Sequence, residues 1–252
     1  MKAALLSFLW LAAHSAAPAQ ELTFEVASVK PNPSMSSDVS VNRSPGGGLD
    51  AVNVPARALI TIAYSLRDQQ LIGAPGWLDV ERYDIHAKAP AGEPEAQFND
   101  KSAGERMRLR LRALLADRFQ LVLHEDTREM PVYALTIGKN GIHPALKRWQ
   151  DGDEQGPQNI GRNNSYQAKK VSMKAFAEGY LSGRMGRVVV DQTGLSGDYN
   201  FKLEFLPDKE AEQKGGMTFL DALEKNLGLK LESRRAPIKV LVIDRVERPA
   251  AN

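Results

Sequence analysis

The chain has 252 residues, with 33 Lys and Arg against 31 Asp and Glu, and no cysteine. A formal net charge of +2 gives no global attraction to nucleic acid or to an anionic membrane surface. Without cysteine there is no disulfide framework, thiol nucleophile or cysteine-ligated metal, so the fold must rest on its cores.

The chain opens MKAALLSFLWLAAHSAAPAQ: one cation at Lys2, an apolar run over residues 3–13, then small residues ending Ala17-Pro18-Ala19. This is the pattern of a secretory signal peptide, residues 1–19, with the mature chain expected to begin at Gln20. The apolar run covers 11 residues, about half of the roughly 20 that a membrane-spanning helix needs. No later stretch is long and apolar enough to span. A periplasmic or secreted product with no integral membrane segment is expected.

LTFEVASVKPNP alternates apolar and polar side chains as a half-buried strand does, and Pro31 and Pro33 end it. A Ser, Asn and Gly loop runs to Gly48. LDAVNV reads as a strand leading into a helix at PARALITIAYSL, where Pro55 suits the first turn and Ala58, Leu59, Ile62, Ala63 and Leu66 form an apolar stripe. Next come QQLIG, the turn APGW and the strand ERYDIHAKA. A polar stretch leads to ERMRLRLRALLADRF. Arg106, Arg108, Arg110 and Arg112 alternate there, but Met107, Leu111, Leu114 and Leu115 keep helical spacing, so a helix carrying solvated arginines is expected. Two strands, QLVLHED and PVYALTIG, follow.

Residues 151–164 are a linker by composition. Beyond them YQAKKV and SMKAFAEGYLSGRMG read as strand and helix, and RVVVD and DYNFKLEF as strands. TFLDALEKNLG is a helix with a capping box at Thr218 and Asp221 and a stop at Gly228, and LKLES and PIKVLVIDRV close the series. Val54 to Tyr83 is 29 residues and Val171 to Tyr199 is 28; Leu114 to Pro131 is 17 and Leu223 to Pro237 is 14. The expectation is an α+β protein of two related β-α-β-β-α-β-β domains in tandem, residues 20–150 and 165–252.

The stretch VVVDQTGLSGDYNF poses the sharpest chemical question. An apolar run delivers Asp191 into a Thr/Gly/Ser loop, as an aspartic protease presents its acid, but Gln192 intervenes where Thr or Ser must follow. The same residues suit a compact turn, with side-chain oxygens on backbone amides. His86, His124 and His143 lack metal-ligand spacing, and HEDTR has Arg128 where a zinc-peptidase helix needs its second His. GLSGDYN is not a nucleophile elbow, and SPGGGLD lacks the lysine of a phosphate loop and reads as a flexible connection. No catalytic residue, metal ligand or cofactor is assigned. Trp77 plugs a core or meets a partner. Arg82, Tyr83 and Asp84 match Asp198, Tyr199 and Asn200 on the other repeat, and Trp77, Arg82, Tyr83, Asp84, Asp191, Asp198 and Tyr199 are the candidate binding residues.

FEVASVKPNP, GAPGWLDVERYDIHAKA, LLADRFQLVLHEDTREMPVYALTIGK, VVVDQTGLSGDYNFKLEF and APIKVLVIDRVERPAAN together resemble a soil-associated family of exported bacterial proteins of unknown function. Members occur alone or fused to antibiotic-sensor-type membrane metallopeptidases, which implies an extracytoplasmic sensing or docking role. Each half also resembles the short N-terminal domain of secretins and TonB-dependent receptors, through ALEKNLGLKLE and the element order. The function expected is a non-catalytic binding module of the cell envelope, whose partner is an envelope protein or ligand and not nucleic acid. The alternative is a secreted hydrolase using acidic residues around Asp191.

Overall fold

The computed structural model describes residues 22–34, 36–92, 101–153, 159–160 and 164–250. The expected signal peptide lies outside them, as do residues 154–158 and 161–163 of the expected linker. Helices and sheets mix throughout, giving an α+β fold.

In the first lobe β1 (Val26–Pro31), β2 (Ser40–Ser44), β3 (Gly48–Pro55) and β5 (Arg82–Lys88) form an antiparallel sheet in the order β1-β5-β3-β2. Alternation sorts its side chains: Tyr83, Ile85 and Ala87 are buried, whereas His86 and Lys88 are exposed. α1 (Ala56–Tyr64) starts at the end of β3 with Pro55 as its N-cap, buries Leu59, Ile60 and Ala63, and ends at Ser65, whose φ is 55°. α3 (Lys101–Phe119) adds Leu111, Leu115 and Phe119 to the same core, and Phe119 meets the Tyr83 ring edge-on at 5.2 Å. One of its arginines departs from expectation. Arg110 is 2% exposed, because it lies three residues after Met107 and four before Leu114 and so shares their inward face. Arg112 ties α3 to α1, donating from Nε to the Ala63 carbonyl at 2.8 Å with its guanidinium 4.7 Å from the Tyr64 ring centre. The turn at Trp77 is a short helix, α2 (Trp77–Val80).

β6 (Val122–Ile137) and β12 (Leu229–Arg245) pair antiparallel along their whole length. The sequence divides each into two strands at Pro131 and Pro237. Both prolines instead lie inside continuous strands, in a stretch where neither long strand has a third neighbour among the described residues and a missing N–H is tolerated. Two short strands flank this ribbon in parallel: β4 (Leu71–Ile72) joins β12 at Leu241, and β10 (Val189–Asp191) joins β6 at Leu135. Each half of the chain thus contributes a short strand to the other half's long one.

The second lobe holds β7 (Lys147–Arg148), β8 (Asn159–Ile160), β9 (Ser165–Ser172) and β11 (Asp198–Glu204) in the order β7-β11-β9-β8. The single helix expected after β9 has three parts: α4 (Met173–Ala175), a π-helical turn at Phe176–Leu181, and α5 (Ser182–Met185). The π turn places Tyr180 on Tyr166, ring centres 3.9 Å apart. The polar insertion contains α6 (Asp208–Lys214), and α7 (Phe219–Leu227) carries the Thr218–Asp221 capping box and ends at Gly228, φ 72°.

Apolar packing divides across the ribbon. Leu135 and Leu146 belong to the second core, with residues 166–229, while Leu241, Ile243 and Val246 return to the first. A small third cluster of Val132, Ala236 and Ile238 lies under the middle. The stretch before residue 154 sits inside the second lobe, where the Trp149 N–H donates to the Asp198 carbonyl at 2.8 Å. Across the lobes, Arg67 donates to the Gly179 carbonyl at 3.1 Å, Gln69 to that of Gly186 at 2.9 Å and Gln70 to that of Lys239 at 3.0 Å.

Candidate functional site

The register of β3 shifts between Ala51 and Val54, and there Asn53 takes φ 58° while only 2% exposed. Its N–H donates to Asp84 Oδ1 at 2.8 Å, its carbonyl accepts from Arg82 at 3.1 Å, and its side-chain amide donates to the Ser36 and Asp38 carbonyls, both at 2.8 Å. Asn32 donates to the same Asp84 oxygen at 2.7 Å. The Asn32 hydrogen bond, aided by the Asn53 amide and opposed by partial burial, holds the Asp84 carboxyl below its ordinary range.

This bulge fixes the rungs of the sheet and therefore which side chains stand side by side on its outer face. One row is Ser28, His86, Asp50 and Asn42, each the cross-strand partner of the next. His86 Nδ1 lies 2.5 Å from Asp50 Oδ1, the carboxylate oxygen that is closed off from solvent. Beside that row Val26 pairs with Lys88, and Gly48 with Ser44. Gly48 is closely packed, since a Cβ there would stand 2.5 Å from the Ala87 carbonyl oxygen and 3.3 Å from Ser44 Cβ. Above these residues opens a groove of about 550 Å³, walled by Val26, Ser44, Gly48, Asp50, His86, Lys88 and residues 89–92. Lys88 is exposed, and among the described residues it has no acidic partner.

The second sheet has the same device with different chemistry. β9 and β11 shift register after Tyr199, Lys170 takes φ 56°, and its N–H donates to Asn200 Oδ1 at 2.8 Å. Val171 faces Tyr199 there as Val54 faces Tyr83 in the first sheet. However, Ser165 pairs with Glu204 and Gln167 with Lys202, and Lys202 and Glu204 neutralise each other at 2.5 Å. Among these matched positions, a glycine and a lysine without an acidic partner among the described residues belong to the first sheet alone.

The residues singled out from sequence scatter. Arg82 and Asp84 belong to the bulge cluster, while Tyr83 lies behind them in the first core, where burial, and then its hydrogen bond to Glu81, pushes the phenol up to about 12. Tyr199 is buried in the second core, and its hydroxyl donates to the Ser196 carbonyl at 3.3 Å. Asp198 is on β11, with Ser172 opposite. The two tyrosine strands belong to different sheets backed by different cores, so the structure brings these residues to no common cleft. Trp77 packs at the margin of the first core with Arg248 over its ring at 5.1 Å, and Arg248 also bonds Glu81. Asp191 Oδ1 accepts from the Thr193 N–H at 2.9 Å and from its hydroxyl at 2.7 Å, and that hydroxyl oxygen accepts from the Leu195 N–H at 3.1 Å. His124 pairs with Asp244 on the ribbon at 2.8 Å. Among the described residues no three His, Asp or Glu side chains gather as a metal would need.

Gly48, Asp50, His86, Lys88 and Ser44 were not singled out for a site. The available signal was SPGGGLD followed 36 residues after Asp50 by His86, a separation whose meaning rests on strand pairing. Neither the curated proteins nor the solved structures contain a match to this chain. A family model does match, over residues 57–246, from α1 to the end of the ribbon, and the chain belongs to that family, described as Protein of unknown function (DUF3738).

Proposed function

We propose that the protein is an exported binding module of the bacterial cell envelope without chemistry of its own, and that the groove over Gly48 is its ligand site. The observation that carries this is the contrast between two sheets built on one bulge. Positions the fold needs are alike, Val54 with Tyr83 and Val171 with Tyr199, whereas Gly48 and Lys88 are replaced by Ser165 and a neutralised Glu204. The differences fall beside the groove, and the groove falls within the size range of ligand pockets. The leader sequence supports export, and the resemblance to domains fused to membrane metallopeptidases supports a docking or sensing role. The matched rungs also support reading the chain as two copies of one unit. The two Thr193 hydrogen bonds to Asp191 Oδ1 support a turn role for that residue over the hydrolase alternative.

The test is capture from the native envelope with the tagged mature protein, alongside Lys88→Glu and, as control, Glu204→Lys. A species held by the native protein and by Glu204→Lys but lost with Lys88→Glu is expected. Capture indifferent to all three, or N-terminal sequencing that finds Met1 on the protein from the extracytoplasmic fraction, overturns the proposal.

A further inference from the structure

We infer that the groove takes the free carboxyl end of a short, extended peptide. The inference rests on the reading of the groove as the ligand site and adds the chemistry of the ligand.

The groove presents one cation, Lys88, which has no acidic partner among the described residues, together with Ser44. One cation and one hydroxyl suit a monoanion. Beside them His86 Nδ1 faces Asp50 Oδ1, and Lys88 and Ser44 are the donors offered to a ligand. A carboxylate accepts from donors of this kind, about twice as strongly as a neutral acceptor does. A phosphate would bring two charges to one lysine, and the row carries no aromatic ring on which a sugar would stack.

The rest of the wall holds the Asp50 carboxylate, turned to His86, and apolar or small residues: Val26, which is 60% exposed, with Ala89, Pro90 and Ala91. The apolar residues offer cover to small side chains. The span from Val26 to Ser44 crosses four strands, three spacings of about 4.8 Å or roughly 14 Å, which matches about four extended residues. An isolated small acid would fill only the part beside Lys88. Gly48 puts no side chain in the floor of the groove, whereas Ser165 stands at the corresponding rung of the second sheet.

The experiment titrates the 15N-labelled mature protein with acetyl-Ala-Ala-Ala-Ala, with the same peptide as its C-terminal amide, and with acetate. The free acid is expected to shift the amides of Gly48, Asp50, His86 and Lys88 saturably, leaving those of Lys202 and Glu204 unmoved. Loss of the charged hydrogen bond, in the amide or in Lys88→Ala, should weaken binding about tenfold, and Lys88→Arg should restore most of it. Lys88 is exposed at a strand end, so these variants report on the ligand and not on folding. Equal binding of acid and amide overturns the inference, as does acetate binding as tightly as the peptide. If no probe binds while envelope capture still depends on Lys88, the ligand class is wrong and the binding role stands; if capture is indifferent as well, both fall.

Discussion

Met130 on β6 pairs with Ala236 on β12, and the ribbon repeats itself about that rung, with Pro131 following one residue and Pro237 the other. The long strands exchange cores around this midpoint: β6 leaves the first lobe to deliver Leu135 to the second, and β12 leaves the second to deliver Leu241 and Ile243 to the first. The lobes are therefore interlocked by packing, whatever joins them covalently.

A cut within residues 154–158 should leave the two pieces bound. Each depends on apolar side chains from the other's long strand, so the nicked protein should elute as one species of native size and separate only in denaturant. Pieces that part under native conditions would show that the ribbon contributes little.

Leu135→Ala should be costly, because the side chain is fully buried and a cavity would open in the second core. A loss of about 2–5 kcal/mol is expected from denaturant unfolding. Val122→Ala is the control on the same strand: it is 50% exposed and should change stability by less than about 0.5 kcal/mol. Equal effects would mean that the strand is not anchored where Leu135 meets the core.

Asp191→Ala removes the acceptor of two Thr193 hydrogen bonds and should cost about 0.5–2 kcal/mol, as loss of a comparable side-chain cap does. Asp191→Asn keeps an acceptor and should cost less. Thermal unfolding of the pair, with a broad hydrolase screen of the native protein, decides the matter. Hydrolytic activity that vanishes in Asp191→Asn would make the loop an active site.

Acid should reveal Asp84. Its carboxyl is held low by Asn32 and by the Asn53 amide, so its contribution to stability is complete above the ordinary carboxylate value of about 4 and is lost as pH falls through the lower folded value. Asp84→Asn retains an acceptor, as Asn200 does opposite Lys170, but does not titrate. The gap in stability between the two proteins should be flat from about pH 7 to 5 and close below about pH 4. A gap that widens in acid would reverse the assignment.

Local signals in the sequence located what local physics decides. The Thr218–Asp221 box and Gly228 bound α7, and the spacings that link Val54 to Tyr83 and Val171 to Tyr199 correspond to real rungs. Pro131 and Pro237 misled, because a proline ends a strand only where its missing N–H would break a ladder, and that depends on neighbours more than 100 residues away. Arg110 misled because alternation in a helix says nothing about which residue lies between Met107 and Leu114 on the inward face. The site was least legible. Gly48, His86 and Asp50 become neighbours only through pairing of three strands, and composition around Gly48 resembles any flexible loop.

The return of β12 sets an order of assembly. Among the described residues the second core lies between Tyr133 and Leu231, a contiguous stretch that is complete before Leu241 emerges. The first core needs Leu241, Ile243 and Val246, and Arg248 closes over Trp77 only after them. As the chain emerges, the lobe begun first is finished last, so its core stays partly uncovered until β12 returns, and a truncation before Leu241 injures the N-terminal lobe.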